Sequence, residues 1–372
     1  MTTSTKPTTP APTPVEVVFH LNDQAISAGK VPLLKPPAPD ASTAPPTLDA
    51  EVARQLVSQL PEPTPVAPPK AAMVETDKKG NPRKILRGSP GEIIDREGTL
   101  HRLAETVKRV PPSQPLRITV MKKENNALET LSSLRTKLGF TECLAEFETV
   151  HDKDHIDDEG RNVNLRVAAD KIDGIIIQPG EEFSFNRVVG ARGRKEGFQP
   201  AGVISNGKVI KGLGGGVCQV STTLYRCALM SNMKITERYN HSIYDGIAYA
   251  QRGLDAAVVW GSKDFRFVNT LKSPLLITCR AGKGTVKVAF YADHRPFEKI
   301  ELATRNEVKH PFDVQVRKNT RLKSGEKRVV QPGVTGYTVE AYRVVIVKGV
   351  AREERLSKDR YQTFPRIEET SN

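Results

Sequence analysis

Four of the five positions from 212 to 216 are glycine, and an amphipathic run follows at once: GLGGGVCQVSTTLYRCAL. Three consecutive glycines, Gly214, Gly215 and Gly216, permit left-handed backbone angles and let another segment approach closely. The run behind them places Val220, Leu224, Cys227 and Ala228 on one stripe, which predicts a helix with a buried face. Cys218 then stands at the helix N-terminus. Unsatisfied N–H groups and the positive end of the helix dipole favour a thiolate there. The glycine N–H groups, with that of Cys218, are candidates to line a hole for a developing oxyanion. A phosphate is another occupant of such a turn, but no Lys-Ser/Thr follows, as a Walker loop requires. A tight turn before a merely buried thiol is the structural alternative.

A thiolate nucleophile needs a base or cationic partner, usually histidine. His241, in ERYNHSIYDG, is the nearest downstream. A structural, hydrogen-bonded imidazole is the plain alternative. The group orienting it is Asp255 or Asp245, and spacing leaves both open. Of the other cysteines, Cys227 on the apolar stripe and Cys279 in LLITCRA are expected in the core, and Cys143 has no informative context. The four cysteines form no CxxC pair and no zinc-ligand spacing. His151 and His155 lie in an acidic loop, HDKDHIDDEG, where they are either solvated or hold a metal weakly.

The chain has 372 residues and a net charge of +13. Such a surface suits a polyanion: nucleic acid, anionic lipid or an acidic wall polymer. Residues 78–123 alone carry twelve Lys and Arg against four Asp and Glu. No run of eighteen apolar residues occurs, and the first fifteen residues lack an apolar core, so neither a membrane anchor nor a signal peptide is expected in this chain.

The overall expectation is a multidomain α+β protein. Residues 1–48, rich in Thr, Pro and Ala, read as a flexible arm in which Val15 to His20 could form one strand. A small α+β domain follows over 49–138. It begins with a helix capped by Asp49 and striped by Val52, Leu56 and Leu60. A hairpin around Lys-Gly-Asn comes next, then a helix striped by Leu100, Leu103 and Val107, a strand LRITVM, and a helix ended by Gly139. A mixed α+β block spans 139–296. Its first helix is expected to bury Val163, Val167, Ala168 and Ile172. A hairpin on Asn206-Gly207 precedes the glycine turn, and strands at AAVVWG, FRFVN, PLLITCRA and TVKVAFY follow. Residues 297–368 alternate as a small all-β module, and 369–372 form a tail.

The segment PGEEFSFNRVVGARGRKEGFQPAGVISNGKVIKGLGGGVCQVSTTLYRCAL, with ERYNHS, GLDAAVVWGSKDFRFVN and PLLI, resembles a VanW domain over about 140–295. Residues 49–138 resemble the peptidoglycan-binding domain that precedes VanW in YoaR-like proteins. Residues 297–368 resemble a G5 domain, a small β module of bacterial surface proteins. The resemblance implies an envelope protein that handles peptidoglycan, lying outside the cytoplasm, although the start read literally implies a cytoplasmic one. It also implies an L,D-transpeptidase-like acyl transfer through Cys218, with His241 and Asp255 as its partners. Gly214, Gly215, Gly216, Gln219 and Ser221 of the same motif are expected to form the oxyanion and substrate-binding site. No metal or organic cofactor is required. The expected partners are peptidoglycan and anionic wall polymers rather than nucleic acid. The alternative is a non-catalytic wall-binding scaffold linked to resistance against cell-wall antibiotics.

Overall fold

The computed structural model describes residues 13–22, 24–36, 47–61, 69–111, 113–125, 130–151, 158–205, 208–244 and 247–371. The chain separates into two compact units, Met1–Ala72 with Gly88–Thr130, and Met73–Arg87 with Leu131–Asn372.

In the first unit, strands Thr13–Leu21 and Gln24–Lys35 pair antiparallel, and the first also pairs parallel with Leu116–Thr119. Alternating residues Val15, Val17 and Phe19 are buried with Leu33 and Ile118, as the period of two along a strand requires. Helices Ala50–Ser58 and Arg96–Val107 add Leu56, Leu60 and Leu103 to the same core. Asp49 caps the first helix by accepting from the N–H groups of Glu51 and Val52, as its position predicts. The strand expected at Val15 to His20 is present, and the reading of 1–48 as an arm is corrected over residues 13–22 and 24–35. The Pro- and Thr-rich composition masked an alternation of apolar residues long enough to make a hairpin. Residues 1–12 lie outside the described ones.

The second unit holds the glycine turn. Its main sheet runs in the order Ile176–Ile177, Leu275–Ala281, Thr285–Ala292, Glu142–Val150, all antiparallel. Helices Glu159–Ile172 and Val217–Met230 pack on this sheet and on each other. The helix 217–230 buries Val220, Leu224, Cys227 and Ala228, each at 0% exposure, as its periodicity predicts. The stripe of Glu159–Ile172 differs from expectation. Leu165, Ala168, Ala169 and Ile172 face the core, while Val163 and Val167 are only half-buried. Buried Asn162 and Asn164 share that face because their amides serve backbone groups: Asn164 Nδ2 donates to the carbonyls of Gln199 and Gly215, and Asn162 Oδ1 accepts from Gly284 N–H. Polar side chains used this way conceal a buried face from a hydrophobicity pattern.

The expected hairpin Met73–Thr76 with Pro82–Leu86 forms, but it belongs to the second unit. Ile85 N–H donates to the Gly174 carbonyl at 2.8 Å, and Ile85 is buried with Ile176 and Leu276. The expected uninterrupted domain over 49–138 is revised accordingly. The basic stretch 78–123 is likewise divided between the two units. The AAVVWG segment is irregular rather than a strand, apart from a bridge between Val259 and Lys263. The hairpin Pro200–Ser205 with Lys208–Leu213 is present, and its Asn206-Gly207 turn lies outside the described residues.

The C-terminal residues form two three-stranded sheets. Lys299–His310, Gly336–Val347 and Val350–Tyr361 make one, and Val314–Lys318, Arg366–Thr370 and Lys327–Gln331 the other. The first continues the core of the main sheet, with Ala341 buried in it and Leu302, Val345 and Leu356 packed against it. Among the described residues no helix is long and apolar enough to cross a membrane.

Candidate active site around Cys218

The glycine turn links strand Lys208–Leu213 to helix Val217–Met230, and each glycine of the triplet has a separate reason. Gly214 and Gly216 have φ of +77° and +100°, left-handed angles that cost other residues strain. At Gly215 a Cβ would lie 2.6 Å from the Gly202 carbonyl oxygen and 2.7 Å from the Ala201 carbonyl carbon. Both are backbone atoms and cannot swing away. Gly215→Ala is therefore expected to destabilise the fold by about 1–3 kcal/mol, the cost of forcing extra volume into a packed interior. Urea denaturation measures it, and an unchanged midpoint would contradict the close approach.

The helix has no side-chain cap at Gly216. The N–H groups of Val217 and Gln219 turn back to the carbonyls of Gly214 and Gly216, at 3.2 and 2.8 Å. Gly214 N–H is spent on the Gln199 carbonyl at 3.2 Å, so Gly214 supplies no donor to a substrate, contrary to expectation. Two more expected site residues face inward. Gln219 is fully buried, with Oε1 accepting from Arg161 at 2.8 Å and Nε2 donating to the Gly284 carbonyl at 3.0 Å. Ser221 is also buried and donates to the carbonyl of Ala256 at 2.7 Å. Both brace the helix against its neighbours, and neither presents an open polar atom. Gln219, one position on, points about 100° away from Cys218, whereas Ser221, three positions on, shares its face but spends its hydroxyl on the carbonyls of Ala256 and Cys218.

Cys218 is half-buried, with its Sγ 3.6 Å from the Val258 carbonyl. His241 is the polar neighbour that acts most strongly on the Cys218 thiol. The other side of that imidazole is held by Asp255: His241 Nδ1 lies 2.6 Å from Asp255 Oδ2, and His241 N–H donates to the same oxygen at 2.7 Å. Nδ1 being so engaged, Nε2 is left for the thiol. The structure thus brings together Cys218, His241 and Asp255 in the order expected. Asp245 lies outside the described residues.

The electrostatics follow from this contact set. Burial opposes the charged form of Cys218, but the hydrogen bond and charge of His241 outweigh it and hold the thiol below its ordinary value of 9.0. Burial likewise opposes a charged His241, yet its hydrogen bonds to Asp255 and Cys218 raise it to about 9. Burial would raise Asp255, and the His241 hydrogen bond, with the charges of His241 and Arg238, lowers it to about 2. The thiolate form is thus favoured as long as His241 carries its proton, up to about pH 9. Alkylation of Cys218 by iodoacetamide below pH 9 is therefore expected to be faster than that of a thiol with the ordinary value. In His241→Ala burial is opposed only by the Val258 contact and the charge of Arg192, so the rate at neutral pH is expected to drop about tenfold or more, with its midpoint moved to higher pH. Identical pH profiles for the two proteins would refute the ion pair.

A further layer of residues was not singled out from the sequence. Asp255 is fully buried, and its Oδ1 accepts from Arg238 Nη2 at 3.1 Å and from the Tyr361 hydroxyl at 2.5 Å. Arg238 in turn grips Asp359 through Nη1, at 2.7 and 2.6 Å to the two carboxylate oxygens. Asp359 and Tyr361 are two positions apart on the strand Val350–Tyr361 and so share a face. That spacing was visible, but nothing in the sequence said what the face meets.

The motifs FSFN and KDF are also explained. Asp264 accepts from Ser184 Oγ at 2.6 Å and Asn186 N–H at 2.8 Å. Asn186 Nδ2 reaches the carbonyls of Val259 and Lys263. This ties down the loop after Val258, whose carbonyl faces Cys218. Among the described residues no three His, Cys, Asp or Glu side chains converge as metal ligands would. His151 is buried beside Tyr249, with ring centroids 5.9 Å apart, and is not solvated. His155 lies outside the described residues.

Residues 160–291 match the family model described as VanW like protein, and residues 303–368 match that of the G5 domain. The chain carries a VanW domain followed by a G5 domain. The resemblance read from GGGVCQVSTTLY, FSFN and the KDF element is borne out. The chain is 36% identical over 152 residues to the uncharacterized protein YoaR of Bacillus subtilis (strain 168), covering 41% of this chain and 48% of that one. It is 28% identical over 153 residues to the vancomycin B-type resistance protein VanW of Enterococcus faecalis (strain ATCC 700802 / V583), covering 40% and 56%. The chain thus spans about half the length of the curated relatives it matches. Among solved structures, the G5 domain of IgA1 protease is 31% identical and covers 21% of this chain and 96% of that one, with a TM-score of 0.16. Cys218, His241 and Asp255 all lie in the VanW domain. Asp359 and Tyr361 come from the G5 domain.

Proposed function

We propose that this protein acts on bacterial peptidoglycan, outside the cytoplasm, as a cysteine-dependent acyltransferase of the L,D-transpeptidase type. The observation that carries the reading is the joined set of a half-buried Cys218 at a helix N-terminus, His241 on its sulfur, and Asp255 at 2.6 Å behind the imidazole. Nucleophile, base and orienting carboxylate in that order form the general arrangement for acyl transfer.

The chemistry then runs as follows. The Cys218 thiolate attacks the carbonyl carbon joining the diamino acid to D-Ala in a stem peptide. The N–H groups of Cys218, Gly215 and Gly216 are the remaining candidates to hold the oxyanion, each donor worth about 3 kcal/mol. The tetrahedral adduct collapses by breaking the C–N bond. The departing amine of D-Ala takes the proton of His241, and a thioester remains on Cys218. The side-chain amine of a second stem attacks that thioester while His241 accepts its proton, and the thiolate is released with a 3-3 cross-link formed. Water in place of the amine yields a trimmed stem.

The G5 domain and the net charge of +13 support a second role in holding wall polymers. They are also what a non-catalytic scaffold would carry. The N-terminal unit is proposed to share in peptidoglycan binding. Incubating the purified protein and its Cys218→Ala variant with defined muropeptides separates the readings. Mass spectrometry is expected to find released D-Ala and cross-linked dimers with the wild type alone. Equal product from both proteins removes Cys218 from the chemistry, and no product from either leaves the scaffold.

A further inference from the structure

Beside the thiol stands a cation that the chemistry above does not use. Arg192 packs its stem on the glycine turn, where a Cβ on Gly214 would lie 2.9 Å from Arg192 Cβ. Its guanidinium sits between two rings, 5.6 Å from that of Phe185 and 5.9 Å from that of Trp260. Nη2 donates to Asn186 Oδ1 at 2.7 Å. Asn186 is itself buried and locked by Asp264 and by the carbonyls of Val259 and Lys263, so the guanidinium is aimed rather than loose. Nη1 is shielded from solvent and has no hydrogen-bond partner among the described residues. A shielded N–H left unpaired is costly.

Among the described residues the negative groups whose charges act on Arg192 are Cys218 and Asp264. Asp264 is already taken up by Ser184, by the N–H groups of Asn186 and Phe265, and by Arg266 at 2.8 Å. The Cys218 thiolate has His241 as its direct partner. Neither fills the open fork. An arginine presents paired N–H groups that match a carboxylate, and Trp260 beside it is 52% exposed, on the solvent side of the site.

We infer that Arg192 is a carboxylate-binding residue, anchoring the free α-carboxylate of the leaving amino acid while Cys218 attacks the amide one residue away. The inference rests on the acyl-transfer reading for its choice of substrate group, but the anchoring itself is testable without turnover. It restricts the acyl donor to stems whose scissile bond precedes a terminal residue. A donor extended by one more residue, or amidated at its end, would lose the contact.

The test uses the full chain and two alkylating probes that differ in charge. Iodoacetate carries a carboxylate and iodoacetamide does not. Modification of Cys218 is followed by mass spectrometry of its peptide, so Cys143 does not interfere. The ratio of the two rates cancels any general change in thiol reactivity. In Arg192→Gln the iodoacetate-to-iodoacetamide ratio is expected to fall about tenfold, the size of one charge-assisted contact. In Arg192→Lys, which keeps the charge but loses the fork, it is expected to fall less. An unchanged ratio in Arg192→Gln overturns the inference. Should that variant fail to fold, a ratio in Arg192→Lys equal to that of the wild type overturns it. A second arm compares two peptides ending in D-Ala, one free acid and one amide, as protectants of Cys218 against iodoacetamide. The free acid is expected to protect better in the wild type and no better in Arg192→Gln; equal protection by both in the wild type counts against the anchor. A clear dependence on Arg192 with no muropeptide turnover would keep this site and dismiss the transpeptidase reading. Turnover that is indifferent to both Arg192 and the terminal carboxylate would do the reverse.

Discussion

Cys218→Ala is expected to lower the proposed acyl transfer by about 10⁴-fold or more while leaving the fold standing. The loss is that large because a nucleophile has no substitute: water can use the oxyanion site, but no covalent intermediate forms. The fold survives because the side chain is half-buried, and its polar contacts are one to the Val258 carbonyl at 3.6 Å and one to His241. Removing such a group costs on the order of 1 kcal/mol. His241 keeps Asp255 in the variant, so no buried charge is orphaned. The measurement pairs product analysis on defined muropeptides with a thermal melt. Wild-type turnover by the variant would place the chemistry elsewhere, and a collapsed melt would make Cys218 a structural residue.

Asp255→Asn is expected to lose nearly as much activity and to weaken the fold as well. The carboxylate takes the imidazole Nδ1 and the His241 N–H on one oxygen, and Arg238 and Tyr361 on the other. An amide cannot accept on both sides. If its oxygen serves Arg238 and Tyr361, its NH₂ faces the imidazole and selects the tautomer with hydrogen on Nε2. That tautomer cannot take the proton of the thiol. Activity is expected to fall about 10³–10⁴-fold, the scale found when the orienting carboxylate of a serine triad becomes an amide. Arg238 would retain Asp359 but lose a buried counter-charge, for a cost of about 3 kcal/mol, at the lower end for a broken buried pair. His241 titration adds a signature. Its value, now about 9, would fall once the carboxylate is gone, because burial then acts with less opposition. An unchanged pH profile of Cys218 alkylation in this variant would show that Asp255 does not act through His241.

Much of this site was legible in the sequence. Glycines before an apolar stripe announce both a turn and the helix behind it, because backbone freedom and a 3.6-residue period are local properties. The buried fates of Cys227 and Cys279 followed from the same patterns. What pairs across the chain was not legible. Gln219 and Ser221 looked like site residues because they neighbour Cys218 in the motif, yet the helix turns them toward Thr149, Gly284 and Ala256. The first N-terminal strand was legible at Val15 to His20, but its partner Gln24–Lys35 was hidden by the Pro- and Thr-rich composition around it. Tyr361 reaches Asp255 from 106 residues away, a distance no local pattern spans.

That contact has a consequence for how such chains are assembled. The aspartate at the heart of the VanW domain is steadied by a hydroxyl and an arginine clamp that depend on the final long strand of its neighbour. A recombination event that traded one β module for another would carry the reaction along only if the newcomer brought an acidic residue and a tyrosine at the same alternate positions. The two families are separable as text, but this buried contact set would be inherited as one piece.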